Sequence, residues 1–196
     1  MGGGTLANYM GEEGDSCPLL GGLCISTVWD LEACSDQIEN SGFFHRLLYS
    51  YSAGTLLRSL VISNISPFRA ANCRNLDLLR SRRFVRMKWF NDNFMSYLAG
   101  YRDTADFAAH INPVLNIRNI RRPCIALNAD DDPFFDGTKL PVREAADTRE
   151  HFILVHTRRG GHLGWFSKNK SLSSTRWYNE PMKEFFNTLI QLHTTH

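Results

Sequence analysis

Cys124-Ile125-Ala126-Leu127, running into Asn128-Ala129-Asp130-Asp131-Asp132-Pro133, decides the fold together with a second stretch. That stretch is Phe152–His156 followed by Arg159-Gly160-Gly161-His162-Leu163-Gly164-Trp165. Each is a short apolar run that ends in a polar, turn-rich loop. Runs of this length that are apolar throughout read as strands. Between them, Lys139–Thr148 with Pro141 near its start reads as a helix, so the three pieces form one strand–helix–strand unit. Such crossovers are right-handed and their strands parallel, so both loops emerge at the carboxyl edge of the sheet, where open α/β sheets place their ligands.

An acid from the first loop and the histidine of the second can therefore meet. A histidine that serves first as general base and then as general acid needs a carboxylate to fix its tautomer and stabilise the imidazolium. Asp132 is the candidate acid and His162 the candidate base. Taken singly, either loop also fits a plain solvated turn, and only the pair on consecutive strand ends points to chemistry. A metal site drawn from the three acids with His162, His151 and His156 is the rival use of the same residues. It lacks any fixed ligand spacing of the HExxH kind. No G-x-S-x-G elbow is present to supply a nucleophile. Ser26 lacks the flanking glycines and reads as a strand-end hydroxyl.

Outward from this unit, Leu19–Ser26 is another short apolar run and a further parallel strand. Ahead of it, Thr5–Met10 reads as a short helix stopped by Gly11 and Gly14. From about Asp30 to Asn119 the texture changes to aromatics and leucines at helical spacing, with an arginine cluster at Arg80, Arg82, Arg83, Arg86 and Lys88. The plain reading of that cluster is a solvated helix face; binding to lipid headgroups or another anionic surface is the functional one. At the end, Asn179 is placed to cap a final amphipathic helix carrying Met182, Phe185, Phe186, Leu189 and Ile190.

The 196 residues, 43% hydrophobic and 21% charged, are enough for a packed globular core and exclude disordered and fibrous classes. A formal net charge of +2 gives no general argument for nucleic acid, and no recognition module is present. Five cysteines without a CxxC pair suit reduced thiols in a cytosolic setting. No apolar stretch reaches spanning length.

The blocks Gly2-Gly3-Gly4-Thr5-Leu6-Ala7-Asn8-Tyr9-Met10-Gly11-Glu12-Glu13-Gly14, Ile25–Leu31, Leu127–Phe134 and Gly160–Trp165 occur in an order that resembles the YheT-type α/β-hydrolases, which include the eukaryotic abhydrolase-domain lipases. The resemblance implies the C-terminal portion of an α/β-hydrolase fold, parallel strands with flanking helices, carrying an inserted helical cap. It sets a core segment at 1–30, the cap at 31–119 and the C-terminal core at 120–196. It implies Asp132 as triad acid, with Asp131 as runner-up, and His162 as base. It puts the family's serine one residue before Met1, so that the chain as given carries acid and base without nucleophile, exposes an open strand edge and is inactive by itself. The backbone N–H of Met1 would be an oxyanion donor. The activity implied for a full-length form is hydrolysis of acylglycerols or related lipid esters, a small-molecule lipid substrate with no cofactor, no metal and no nucleic acid. Acyl transfer to an alcohol and a non-catalytic binding role are the alternatives. Membrane-surface contact is compatible, since relatives in the eukaryotic branch often carry a membrane anchor; oligomeric state is not implied.

Overall fold

The computed structural model describes residues 2–135, 137–166 and 176–195. Along the chain run α1 (Gly2–Glu13), β1 (Gly22–Ile25), α2 (Leu31–Asn40), α3 (Ser52–Ser63) and α4 (Thr104–Ile111). They are followed by β2 (Cys124–Ala129), α5 (Val142–Asp147), β3 (Phe152–Thr157) and α6 (Asn179–Thr194). Two compact units result: the chain up to Asp30 with everything from Asn112 onward, and Leu31–Ile111.

In the first unit β1, β2 and β3 form a parallel sheet in that order. Gly22 stands opposite Cys124 and Cys124 opposite Phe152. This is the α/β architecture expected for a C-terminal α/β-hydrolase portion. On one face Cys24, Cys124, Ala126 and Phe152 pack with Ala7 and Met10 of α1. The other face sets Leu127 and Ala129 against Trp165, with Tyr178 and Met182 partly buried beside them. Cover on both faces is why β2 is apolar from Cys124 to Leu127 rather than alternating. Among the five free cysteines, Cys24 and Cys124 share a hydrogen bond on adjacent strands. It draws the Cys24 thiol below its ordinary value and, together with burial, pushes that of Cys124 well above it.

Three local expectations shift. Gly11 does not end α1, which runs on to Glu13; the left-handed residue after it is Gly14, with φ of 51°. Gly11 serves close approach instead, since a Cβ there would lie 2.4 Å from the Asn116 carbonyl oxygen. Asn179 is the first residue of α6 and not its cap; the preceding Tyr178 has helical dihedrals and gives no side-chain cap. The helical insertion, read from sequence to Asn119, ends as a compact unit at Ile111. Single 3₁₀ turns at Pro113–Leu115 and Ile117–Asn119 belong with the sheet, because Ile117 and Ile120 are fully buried in its core. Each such side chain contributes about 1.5–3 kcal/mol on burial, which outweighs the helical texture of the neighbouring sequence.

The second unit is helical, as its spacing predicts. Its core is Val61, Leu79, Val85, Phe90 and Phe94. Two π-helical stretches, Arg46–Tyr51 and Asn91–Met95, shift the side-chain phase within otherwise continuous helices. Glu39 accepts from Ser50 Oγ at 2.7 Å and pairs with Arg86 at 2.9 Å. Among the described residues no helix is long and apolar enough to cross a membrane.

One buried polar side chain ties the ends of two strands together. Trp29 Nε1 donates to Asn128 Oδ1 at 3.0 Å, and Asn128 Nδ2 donates to the Thr27 carbonyl at 3.1 Å. Asn128 is fully buried, so truncating it orphans both partners in a dry site. Asn128→Ala is expected to lower unfolding stability by about 3 kcal/mol, read as a fall in the urea midpoint with unchanged slope. Asn128→Asp, which keeps the acceptor but loses the donor and buries a charge, should be no better tolerated.

Candidate active site

The site lies where β2 and β3 end. β2 stops at Ala129, and the Asp130 N–H is still held by the Thr157 carbonyl at 2.8 Å. The chain then turns back, with the Asp132 N–H donating to the Ala129 carbonyl at 3.2 Å, and this brings the Asp132 side chain inward. One carboxylate oxygen, Oδ1, accepts the Phe134 N–H at 2.9 Å. The other, Oδ2, meets His162 Nδ1 at 2.8 Å. The Asp132 side chain is 0% exposed and that of His162 36%. A carboxylate this deeply buried is held by its backbone donor and by the imidazole, while the histidine keeps an open flank. The Phe134 ring lies against the imidazole, centroids 4.6 Å apart.

The three consecutive acids go to three different partners. Asp130 Oδ1 faces His156 Nδ1 at 3.3 Å. Asp131 Oδ1 accepts the N–H of both Gly160 and Gly161 at 2.8 Å. Asp132 alone reaches His162, so Asp131, the runner-up acid, sits on the histidine loop's backbone and not on its ring. Among the described residues no group of three or more His, Cys, Asp or Glu side chains is arranged to hold a metal. His151 contributes its backbone carbonyl to the Cys124 N–H.

The histidine loop is held from a second side. Ser26, at the end of β1, has a left-handed φ of 47° and is 4% exposed, and its hydroxyl donates to the His162 carbonyl. The loop itself turns through Gly161, at φ 54°, and closes with the Gly164 N–H on the Gly160 carbonyl at 2.7 Å. Gly160 has no room for a Cβ, which would lie 2.4 Å from the Trp165 ring. That ring is pinned by Trp165 Nε1 donating to Thr157 Oγ1 at 2.9 Å. Sequence reasoning missed both the Asp131 tether and the Ser26 tether. The one available signal was the positional logic of adjacent residues: neighbours in a turn point apart, so a second acid beside the first serves something else. Met1, read as an oxyanion donor, lies outside the described residues.

No family model matches the sequence, and no solved structure matches it significantly. Curated proteins do. Human phospholipase ABHD3 is 27% identical over 191 residues, covering 97% of this chain and 45% of that protein. The Escherichia coli putative esterase YheT is 27% identical over 191 residues, 97% of this chain and 54% of its own length. The monoacylglycerol lipase of Saccharomyces cerevisiae is 28% identical over 187 residues, 94% and 40% respectively. The chain is a homologue of the YheT-type α/β-hydrolases. It spans about half the length of the curated relatives it matches. Within the YheT-type fold the three-stranded parallel sheet and its flanking helices correspond to the C-terminal portion.

Asp131 acts on the loop's backbone, so its removal should loosen the loop without melting the sheet. Asp131→Ala loses two charge-assisted hydrogen bonds at an exposed site, worth together about 1 kcal/mol after solvent screening. Amide exchange at Gly160 and Gly161 should then quicken about fivefold, with the β2 amides unchanged. Equal acceleration in the sheet would mean that Asp131 supports global stability instead.

Proposed function

We propose that this chain carries the acid–base half of a serine carboxylic-ester hydrolase that acts on acylglycerols or related lipid esters. The observation that carries the reading is the 2.8 Å contact between His162 Nδ1 and the buried Asp132 carboxylate at the carboxyl edge of parallel strands. Relatives named phospholipase, monoacylglycerol lipase and putative esterase support the substrate class.

Asp132 occupies one ring nitrogen of His162, which leaves Nε2 to exchange protons with a substrate-side oxygen. In this reading a serine hydroxyl, set by the resemblance one residue before Met1, attacks the ester carbonyl as Nε2 takes its proton. The imidazolium then passes that proton to the departing alcohol oxygen. Water repeats the sequence on the acyl-enzyme and releases the carboxylic acid. Asp132, held by the Phe134 N–H and shielded from water, keeps the tautomer that points Nε2 outward and stabilises the transient imidazolium. Asp131 and Ser26 are positioning residues, acting on the backbone that presents the ring.

In the protein translated from the whole in-frame coding region, a fluorophosphonate probe is expected to label one serine. His162→Ala should lower kcat by about 10⁶, and Asp132→Asn by about 10⁴, with KM little changed. Labelled water against a competing alcohol separates hydrolysis from acyl transfer. A whole translation product that never labels, or a His162→Ala form that keeps its esterase activity, would sink the assignment and favour a binding protein built on the same fold.

A further inference from the structure

A second feature lies wholly within Leu31–Ile111 and has no part in the acid–base pair. From Phe43 to Ser63 the chain is one helical run, a short α-helical turn, the π-helical stretch Arg46–Tyr51 and α3. One side of it is left in solvent: Phe43, Phe44, Leu47 and Leu48, then Leu56 and Leu60. Phe44 is 82% exposed, Leu48 61% and Leu56 62%. The π-helical stretch joins the two groups, and Tyr51 at its end is exposed between them. Single exposed leucines are ordinary, but six exposed leucine and phenylalanine side chains along one helical run mark an interaction surface.

Charge identifies the partner. Between Arg46 and Lys88 there are nine Lys and Arg residues and one acid, Asp77, in a chain whose overall balance is only +2. The basic segment is fastened alongside α3: Arg58 donates to the Leu79 and Arg80 carbonyls at 3.1 and 3.0 Å, and Thr55 Oγ1 accepts the Val85 N–H at 3.3 Å. Arg80, Arg86 and Lys88 have Asp77, Glu39 and Asp36 as partners. Arg82 and Arg83 instead lie over the Trp89 and Phe84 rings, at 4.3 and 5.5 Å, with no carboxylate in ion-pair range among the described residues. Phe84 is itself exposed and extends the apolar area. Apolar side chains flanked by cations that lack counter-charges are what a helix lying in an anionic lipid interface requires. A protein surface would need matching acids and a shaped groove.

We propose that the Phe43–Leu60 face, with the Arg82 and Arg83 cations beside it, adsorbs to the headgroup region of an anionic bilayer. Leucine and phenylalanine enter the acyl boundary while the guanidinium groups stay at phosphate level. The inference stands apart from the ester-hydrolase reading, because adsorption needs no catalysis.

The 196-residue chain, sedimented with vesicles of phosphatidylcholine alone or with roughly one lipid in three replaced by phosphatidylserine, tests it. The chain should pellet with the anionic vesicles, less so as salt rises, and stay in solution with the neutral ones. Arg82→Gln with Arg83→Gln should weaken partitioning about thirtyfold, near fivefold for each charge, whereas Arg82→Lys with Arg83→Lys should keep it. Phe44→Ser with Leu48→Ser should abolish it; all four positions are exposed, so folding is spared. Three outcomes overturn the proposal. They are a chain that stays in solution with anionic vesicles, glutamine variants that bind as tightly as the parent, and a lipid-free dimer that Phe44→Ser dissolves.

Discussion

The parallel pairing of β2 with β3 is the constraint on which the site depends. Six residues are in register, from Cys124 opposite Phe152 to Ala129 opposite Thr157. The strands therefore end at one level, and the few residues that follow each suffice to bring Asp132 and His162 to 2.8 Å. A slip of one residue would turn Ala126 and Leu127 to the wrong faces and carry the Asp loop with them. The register is held by what lies on the two faces: Met10, Ile117 and Ile120 on one side, Trp165 and Met182 on the other. The meeting of Asp132 with His162 is thus a by-product of apolar packing some way beneath it.

The three adjacent acids show how such an edge is kept from repelling itself. Three carboxylates in a row would raise one another's cost of ionisation, yet each is turned toward a different donor: an imidazole, a pair of backbone amides, and an imidazole together with an amide. Only Asp132 is buried, and an unpartnered buried carboxylate would cost several kcal/mol. Burial is therefore what makes the His162 contact obligatory, and the Asp131 tether is what makes it available, since it anchors the two residues immediately before His162. Ser26 secures the loop on the far side of the same residue, through the His162 carbonyl.

The parallel sheet was legible because Cys124–Leu127 and Phe152–Val155 are short runs that are apolar without alternation; β2 is buried as such a run predicts, whereas β3 at the sheet edge buries only Phe152 fully and leaves Ile153 exposed. The meeting of Asp132 with His162 followed from crossover handedness. What escaped was whatever depends on distance between segments remote in sequence. Gly11 looks like a helix stop until the Asn116 backbone is seen against it. Residues 112–119 continue a helical texture, and only the burial of Ile117 and Ile120 assigns them to the sheet. Ser26 was discounted as a strand-end hydroxyl because the motif around it is wrong for a nucleophile; its left-handed φ and its contact with the His162 carbonyl are tertiary facts with no local signature.

The same distinction governs the electrostatics. Net charge is an average over the chain, and +2 concealed a helical insertion whose Arg46–Lys88 stretch is almost purely cationic, offset by acids elsewhere. In a folded protein the relevant length is the Debye length, about 8 Å at physiological ionic strength, far shorter than the chain. Acids beyond that range do little to neutralise Arg82 and Arg83, whose nearest described partners are aromatic rings. Charges so placed act on their surroundings as a local cationic surface, and exposed phenylalanine and leucine beside them select for partners that are apolar and anionic together. Composition excludes a function class only when the charges it counts lie within screening distance of one another.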